Sequence, residues 1–232
     1  MDKRKFVIAI DGPVASGKGT IASQLAKALN GFYLYTGAMY RCVALSGIMK
    51  GIDLHNEADV VALLPTLAVQ FVHERIFLNG TDVTDRIKEK DTAEGSSVVA
   101  VFPKVRANLV AKQQEIAKEF IEKGMIVVSE GRDMGTVAFP DAALKIYLTA
   151  SSEVRAHRRL VQYERLGRTV NLAQIMEELR VRDERDQNRE ADPLPSNPEE
   201  LGYVILDNSA MNAEETVEAI KKELGKRELL ND

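Results

Sequence analysis

The stretch FVIAIDGPVASGKGT, residues 6–20, joins an apolar run to a loop bracketed by glycines, and it decides the fold. Gly12 and Gly17 can adopt backbone angles closed to other residues, so several main-chain N–H groups of the loop can point at one anion. Lys18 then adds a mobile positive charge. We therefore predict a phosphate-holding loop between a buried strand and a helix whose amino end faces the phosphate.

The residues after this loop follow helical spacing, with apolar side chains at Ile21, Leu25, Ala28 and Leu29. The loop departs from the common G-x-x-x-x-G-K-[ST] pattern, because Gly19 follows the lysine and the hydroxyl comes one place later, at Thr20. This displacement argues against direct coordination of Mg²⁺ by the loop. A glycine-rich turn that binds nothing is the alternative for the loop taken alone.

Size and charge narrow the class of protein. A chain of 232 residues with 45% hydrophobic content is suited to one α/β domain with small inserts. The formal net charge of −4 argues against a nucleic-acid or membrane-surface partner, so anion binding must be local. No apolar stretch approaches membrane-spanning length, and the amino-terminal apolar run is too short for a signal peptide.

The cysteine and histidine content gives no sign of a metal centre. Cys42 is the single cysteine, so no internal disulfide can form, which agrees with a reducing cytoplasm. We interpret Cys42 as a small buried residue in a helix. His55, His73 and His157 are scattered, and we interpret them as structural or exposed. We expect no metal ligands from the protein itself.

Short apolar runs alternate with helical patterns along the chain. Five of these runs are predicted as core strands, at residues 6–10, 32–35, 125–129, 144–148 and 203–206. This alternation indicates a parallel sheet with helices on both faces, which binds ligands at the carboxyl ends of its strands. TGAMYR (36–41) and EGRDMG (130–135) follow the second and third runs at that position.

Two further segments have recognisable patterns. Residues 63–92 carry β-type runs and the turn signal Asn79-Gly80, which predicts a small hairpin or three-stranded insert. Asn212, followed by Glu215, predicts a capped amphipathic helix that closes the domain.

Residues 151–190 contain nine arginines and no lysine. Arginine offers a planar fork of donors that suits phosphate oxygens, and Arg182, Arg185, Asp186 and Arg189 fall on one helical face. We interpret the segment as phosphate-binding. A solvated helix with salt bridges from the interleaved acidic residues is one alternative, and nucleic-acid binding is a weaker one.

A phosphate-holding loop and an arginine-rich segment together indicate phosphoryl transfer, in which catalysis is mostly positioning and neutralisation of charge. No general base is evident in the sequence. Because a phosphate monoester has a second pKa of about 6 and arrives largely ionised, the acceptor is interpreted as a phosphate. Arg41 in TGAMYR, and the consecutive residues Arg132 and Asp133 in EGRDMG, follow strand ends and are candidates to bind the acceptor. Either of these two motifs, taken alone, could be a turn held by a salt bridge.

Six blocks, in order, resemble those of bacterial cytidylate kinases: GPVASGKGT (12–20), TGAMYR (36–41), FPKVR (102–106), EGRDMGTVAFP (130–140), SSEVRAHRR (151–159) and RDERDQNR (182–189). The combination is specific, although Thr36 stands where that family often has serine and Glu130 where it often has aspartate. The resemblance implies a nucleoside monophosphate kinase fold of the P-loop class, with a five-stranded parallel sheet, a small β insert and a helical lid. It also implies transfer of the γ-phosphoryl group of ATP, with Mg²⁺, to CMP or dCMP.

The resemblance further implies which residues form the site. The ATP-binding loop would comprise Gly12, Pro13, Val14, Ala15, Ser16, Gly17, Lys18, Gly19 and Thr20. The CMP-binding set would comprise Thr36, Tyr40, Arg41, Ser97, Arg106, Arg132, Asp133, Arg182, Asp186 and Arg189. Within it, Ser97, Arg106 and Asp133 would read the cytosine, Arg41 and Arg132 would hold its phosphate, and Arg182 and Asp186 would meet the sugar. The catalytic set would be Lys18, Arg132, Arg158 and Arg189.

Organisation and partners follow from the same resemblance. We expect one kinase domain over residues 1–232, with a core of residues 1–40, 107–150 and 191–232, an acceptor-binding region of residues 41–106 and an arginine-rich lid of residues 151–190. The expected partners are the two nucleotides, with no nucleic acid or membrane, for a cytoplasmic monomer. One alternative is a kinase for adenylate, uridylate or shikimate. The other is a GTP-dependent switch, against which the sequence has no N-K-x-D motif for guanine.

Overall fold

The computed structural model describes residues 5–72, 75–165, 167 and 169–230. The chain divides into two compact units, one formed by Met1–Leu34 with Ile116–Asp232 and the other by Tyr35–Glu115. Among the described residues, no helix combines the length and apolar character needed to cross a bilayer.

The strands and helices alternate along most of the chain. The strands are β1 (Val7–Asp11), β2 (Phe32–Tyr35), β3 (Val69–Val72), β4 (Arg75–Leu78), β5 (Thr81–Asp82), β6 (Val127–Glu130), β7 (Leu144–Thr149) and β8 (Val204–Asp207). The α-helices are α1 (Lys18–Ala28), α2 (Thr36–Met49), α3 (Glu57–Leu63), α4 (Lys90–Val99), α5 (Pro103–Glu122), α6 (Ser152–Arg165), α7 (Leu172–Asn188) and α8 (Ala213–Lys226). A π-helical turn at Met134–Ala138 and three short 3₁₀ turns, Leu64–Thr66, Arg86–Lys88 and Glu199–Leu201, complete the order.

The large sheet has the strand order β2-β6-β1-β7-β8, and its strands are parallel, which confirms the predicted five-stranded fold. Four strands extend one residue beyond the predicted apolar run and so end in a polar residue. This difference arises because main-chain pairing continues past the last apolar side chain, as in the pairs Ile10 with Glu130 and Thr149 with Asp207. The strand ends therefore present polar side chains directly.

Two helices cover one face of the large sheet. Ile8, Ile10 and Ile146 of the sheet pack with Leu25 of α1 and Ile220 of α8 in one buried cluster. The predicted apolar face of α1 is partly wrong, because Ala28 is exposed, whereas Ala22 and Ala26 are buried beside Leu25.

The insert is a three-stranded antiparallel sheet in the order β3-β4-β5, as the sequence predicts. Its turn is formed by Asn79 and Gly80, which have φ values of 51° and 81°. Both residues are left-handed, which is the geometry of the two-residue turn that matches the twist of paired strands.

Local predictions at single residues are also confirmed. Asn212 accepts a hydrogen bond from the main-chain N–H of Glu215, and the Glu215 carboxylate accepts one from the N–H of Asn212, so α8 begins with a capping box. Cys42 is buried in α2, and burial raises the pKa of its thiol to about 12. His55 and His157 are exposed, whereas His73 lies outside the described residues.

Candidate functional site

The glycine loop connects β1 to α1 and has the backbone that its sequence predicts. Gly12 has φ 148°, and a Cβ at this position would lie 2.1 Å from the carbonyl oxygen of Leu148, so no other residue can replace it without moving β7. Gly17 has φ 95° immediately before the first helical residue, Lys18. Ala15 also lies in the left-handed region, with φ 59°. Positive-φ residues at Gly12, Ala15 and Gly17 are typical of loops whose main-chain N–H groups bind an anion.

The expectation that Lys18 is a mobile charge is wrong, because its side chain is only 5% exposed. Its ammonium donates to the carbonyl oxygen of Pro13 at 2.7 Å and to the hydroxyl of Ser16 at 3.4 Å. Burial, with a further contribution from Arg132, lowers the pKa of Lys18 to about 7. The loop therefore holds its lysine in a site that disfavours positive charge until an anion is present. Thr20 is exposed in the first turn of α1.

The turn after β6 places an arginine and a carboxylate against α7. Arg132 Nε donates to Asp186 at 2.5 Å, and both side chains are mostly buried. Burial opposes both charges, but Asp186 and the neighbouring acids hold the pKa of Arg132 above its usual value. Arg132, Arg182 and Arg189 hold the pKa of Asp186 below its usual value.

Asp133 lies beside Arg189 at the end of α7. Arg189 Nη2 is 3.8 Å from the Asp133 carboxylate, and the two side chains are 6% and 4% exposed. Arg189 Nε also donates to the carbonyl oxygen of Asp192 at 2.8 Å. The structure thus brings Lys18, Arg132, Asp133, Asp186 and Arg189 into one buried network of charges.

Arg158 occupies a different position, against the outer side of the glycine loop. Its Nη1 donates to the carbonyl oxygen of Ser16 at 3.1 Å and to the Asn208 side chain at 3.0 Å, and its Nη2 donates to the Asn208 carbonyl at 2.9 Å. Asn208 Nδ2 donates to the same Ser16 carbonyl at 3.1 Å. Asn208 follows β8, so the last strand of the sheet supports both the loop and this arginine.

Asp11, the last residue of β1, fixes the turn that carries Arg132 and Asp133. Its carboxylate accepts hydrogen bonds from the main-chain N–H groups of Met134 and Gly135, each at 2.9 Å, and from the Tyr203 hydroxyl at 2.7 Å. Burial raises the pKa of Asp11 to about 6, against the opposing effect of these donors. A buried carboxylate thus joins the glycine loop to the turn after β6.

The other unit, residues 35–115, carries the remaining candidate residues. Arg106 is 2% exposed, donates to the carbonyl oxygen of Ala100 at 3.2 Å and lies 5.7 Å from the centre of the Tyr40 ring. Arg41 donates to the carbonyl oxygen of Ile87 at 2.7 Å. Thr36 is the buried first residue of α2, and Ser97 is half-buried in α4.

The solvated alternative for the arginine-rich segment holds for part of it. Arg180 is exposed and pairs with Glu177 and Glu184, as the solvated alternative predicts. Arg185 is also exposed, whereas the nearby Asp186 faces Arg132. Arg168 lies outside the described residues.

The comparison with known proteins follows this geometry. The family model described as cytidylate kinase matches residues 8–226. The chain belongs to the cytidylate kinase family. The cytidylate kinase of Neisseria gonorrhoeae is 44% identical over 217 residues, which are 94% of this chain and 96% of that protein. The cytidylate kinase of Azotobacter vinelandii is 42% identical over 235 residues, with 99% of each chain covered.

A solved structure agrees at the level of the fold. A gluconokinase from Sinorhizobium meliloti superposes with a TM-score of 0.51 at 14% identity, covering 96% of this chain and 93% of that one. At this identity the likeness concerns the fold alone. The cytidylate kinase family and the kinase fold thus both agree with the blocks recognised in the sequence.

Sequence reasoning missed three residues whose side chains form hydrogen bonds with the main chain of the candidate site: Asp11, Asp183 and Asn208. Asp11 and Asn208 could have been found, because each stands at the carboxyl end of a strand, where the predicted sheet binds ligands. Asp183 was interpreted only as one of several interleaved acids. Its contacts, described below, depend on how α7 packs, and the spacing of charges along the helix does not predict them.

Proposed function

We propose that this protein transfers the γ-phosphoryl group of ATP to CMP or dCMP, giving ADP and CDP or dCDP. The observation that carries the proposal is the glycine loop between β1 and α1, in which Gly12, Ala15 and Gly17 have positive φ and the next residue is the buried Lys18. A loop of this backbone conformation at the amino end of a helix, followed by a lysine, favours a bound anion. The polyphosphate of a nucleotide supplies that anion, and the names of the relatives suggest which nucleotides are used.

For the donor, we assign residues 12–20 to the phosphates of ATP. Main-chain N–H groups of the loop and the amino end of α1 would bind the β- and γ-phosphates, with the Lys18 ammonium as their cationic partner once the anion is bound. Mg²⁺ is proposed to enter with ATP as part of the donor substrate, because a divalent cation offsets charge on the β- and γ-oxygens.

For the acceptor, we assign roles in each unit separately. In the unit of residues 35–115, Arg41 would hold the CMP phosphate, Ser97 and Arg106 would contact the base, and Thr36 and Tyr40 would line the site. In the other unit, Asp133 would accept a hydrogen bond from the cytosine N4 amine, a donor that uracil lacks. Arg182 and Asp186 would meet the sugar, with Arg132 on the CMP phosphate.

The chemistry needs little beyond placement and neutralisation. An oxygen of the ionised CMP phosphate attacks the γ-phosphorus, the bond from that phosphorus to the β-bridging oxygen breaks, and ADP leaves with the bonding pair. Because the attacking oxygen carries no proton, no general base is required. Arg132, Arg158 and Arg189 would offset the charge that spreads over the moving group, together with Lys18.

The organisation that we propose keeps the boundaries expected from the sequence. Residues 1–40, 107–150 and 191–232 form the core, residues 41–106 the acceptor-binding region and residues 151–190 a lid that excludes water. We propose a cytoplasmic monomer whose partners are nucleotides rather than nucleic acid or membrane.

A coupled assay of ADP formation with CMP, dCMP, UMP, AMP and shikimate as acceptors tests the proposal. We expect CMP or dCMP to give the highest kcat/KM and shikimate to give no turnover. Equal or better turnover of AMP would reject the base assignment. GTP hydrolysis without any acceptor would favour the nucleotide-switch alternative instead.

A further inference from the structure

Val14, the third residue of the glycine loop, is embedded in the helical hairpin formed by α6 and α7. Its side chain is 6% exposed and packs with Ala156 and Tyr163 of α6 and with Ile175 and Leu179 of α7. The neighbouring Ala15 packs against the same cluster. The loop is therefore part of the hairpin's apolar core, although the two segments are far apart in sequence.

The main chain of Val14 is held as firmly as its side chain. The Asp183 carboxylate of α7 accepts a hydrogen bond from the Val14 N–H at 2.8 Å, and Arg155 Nη1 of α6 donates to the Val14 carbonyl oxygen at 3.0 Å. Arg155 and Asp183 also pair with each other at 2.5 Å, and their side chains are 14% and 13% exposed. One ion pair, with one member from each helix, thus binds both polar groups of a single loop residue.

This contact stands next to the least favourable backbone of the loop. Ala15 has φ 59°, a left-handed conformation that brings the Cβ of an L-residue too close to the following carbonyl oxygen and is therefore disfavoured. Residues in such a disfavoured conformation persist where contacts with the surrounding structure hold them in place. The contacts on Val14 hold the neighbouring Ala15 in this conformation, and left-handed residues in such loops favour main-chain N–H groups that converge on an anion.

We propose that Asp183 is a positioning residue for the donor nucleotide: with Arg155 it clamps Val14, which keeps Ala15 left-handed and the glycine loop ready for phosphate. The clamp makes the loop and the α6–α7 hairpin one mechanical unit. The identity of the nucleotide rests on the proposed function, whereas the clamp itself rests on the loop contacts alone.

The test compares nucleotide affinity in variants of the full chain by titration calorimetry with ADP and with CMP. In Asp183→Ala we expect the Kd for ADP to rise by about tenfold, which corresponds to the loss of one well-formed charged hydrogen bond. The Kd for CMP should change by less than about twofold. Asp183→Asn keeps an acceptor for the Val14 N–H but loses the ion pair, and we expect an intermediate rise. Glu184→Ala, at the adjacent exposed position, is the matched control and should leave both affinities unchanged.

A second substitution separates positioning from general destabilisation. Glycine adopts φ 59° without the Cβ penalty, so adding Ala15→Gly to Asp183→Ala should recover about threefold of the lost ADP affinity. ADP affinity that stays unchanged or improves in a folded Asp183→Ala or Asp183→Asn protein would overturn the clamp, as would failure of Ala15→Gly to recover any affinity. If the unaltered protein binds ADP but does not phosphorylate CMP, the proposed function fails and the calorimetric test of the clamp still stands.

Discussion

At the scale of single residues, Asp11 and Asp207 have the same chemistry and the same place in their strands but opposite environments. Each is the last residue of a parallel strand. Asp11 ends the central strand β1 and is fully buried, whereas Asp207 ends the edge strand β8 and is exposed. Burial raises the pKa of Asp11 to about 6, and hydrogen bonds from Ser209 lower the pKa of Asp207. Position in the sheet therefore sets the protonation of a strand-end carboxylate.

This contrast predicts opposite pH dependences of stability. The folded protein binds the Asp11 proton up to about pH 6, whereas in the unfolded chain the pKa is 3.8, so the contribution of Asp11 is present below that value and is lost as pH rises through 6. Relative to Asp11→Asn, the unfolding free energy should fall by roughly 2.4 kcal/mol between pH 4 and pH 7.

Urea unfolding of both proteins across this pH range measures the difference. Asp207→Asn is the control, and its difference should run the other way, because a lowered pKa favours the folded state as pH rises. A difference for Asp11→Asn that does not change with pH would show that this carboxylate is already ionised or protonated throughout.

The base assignment predicts a change of specificity at Asp133. An amide in place of the carboxylate can present a donor to the base, so Asp133→Asn should lower kcat/KM for CMP and bring UMP within reach, with the CMP to UMP ratio falling by about 10–100-fold. Steady-state kinetics with both acceptors give the ratio. A uniform loss for both acceptors would instead indicate that Asp133 acts only by holding Arg189, its neighbour at 3.8 Å.

Residue-level prediction from sequence worked where backbone geometry alone decides. Gly12 and Gly17 were predicted to use backbone angles closed to other residues, and their φ values are 148° and 95°. Lys18 was predicted to be mobile and is buried, and the role of Asp11 was missed. Burial of a charged side chain depends on distant segments such as Tyr203, so neither its spacing nor its neighbours in sequence report it.

At the scale of elements, the periodicity of apolar residues and the turn residues predicted the local secondary structure. All five strands of the large sheet, the three-stranded insert and the cap of α8 are confirmed, because each depends on residues within a few positions of one another. The π-helical turn at Met134–Ala138 was not predicted. Its N–H groups are fixed by Asp11, which lies far away in sequence.

The same substitution at two glycines should have opposite effects in two elements. Gly80 has φ 81° in the turn of the insert, Gly225 lies within α8 without a left-handed φ, and a Cβ at either position would meet nothing within 4 Å. Gly80→Ala should therefore destabilise by about 1 kcal/mol through backbone strain, and Gly225→Ala should stabilise by about 0.5–1 kcal/mol. Urea unfolding monitored by circular dichroism compares the unfolding free energies of the two variants. A change in the same direction for both would contradict the assigned backbone conformations.

At the scale of the whole molecule, an acidic protein buries three of its cations together with the carboxylates of Asp133 and Asp186. The net charge is −4, yet Lys18, Arg132 and Arg189 lie close together in one largely buried network. An anionic nucleotide bound at this network would interact favourably with its cations. The unfolded chain has no equivalent site, so ligand binding must raise the apparent stability.

Thermal unfolding with different ligands tests this coupling for the molecule as a whole. At a concentration about 100 times its Kd, CMP should add roughly 2.7 kcal/mol to the unfolding free energy, which corresponds to a rise in Tm of about 5–10 °C for a chain of this size. Under the proposed assignment, UMP should protect less, because it lacks the N4 donor for Asp133, and cytidine should protect least, because it lacks the phosphate that the proposed arginine ligands would bind. Equal protection by CMP and UMP would contradict the base assignment, and equal protection by CMP and cytidine would contradict the role of the arginines as phosphate ligands.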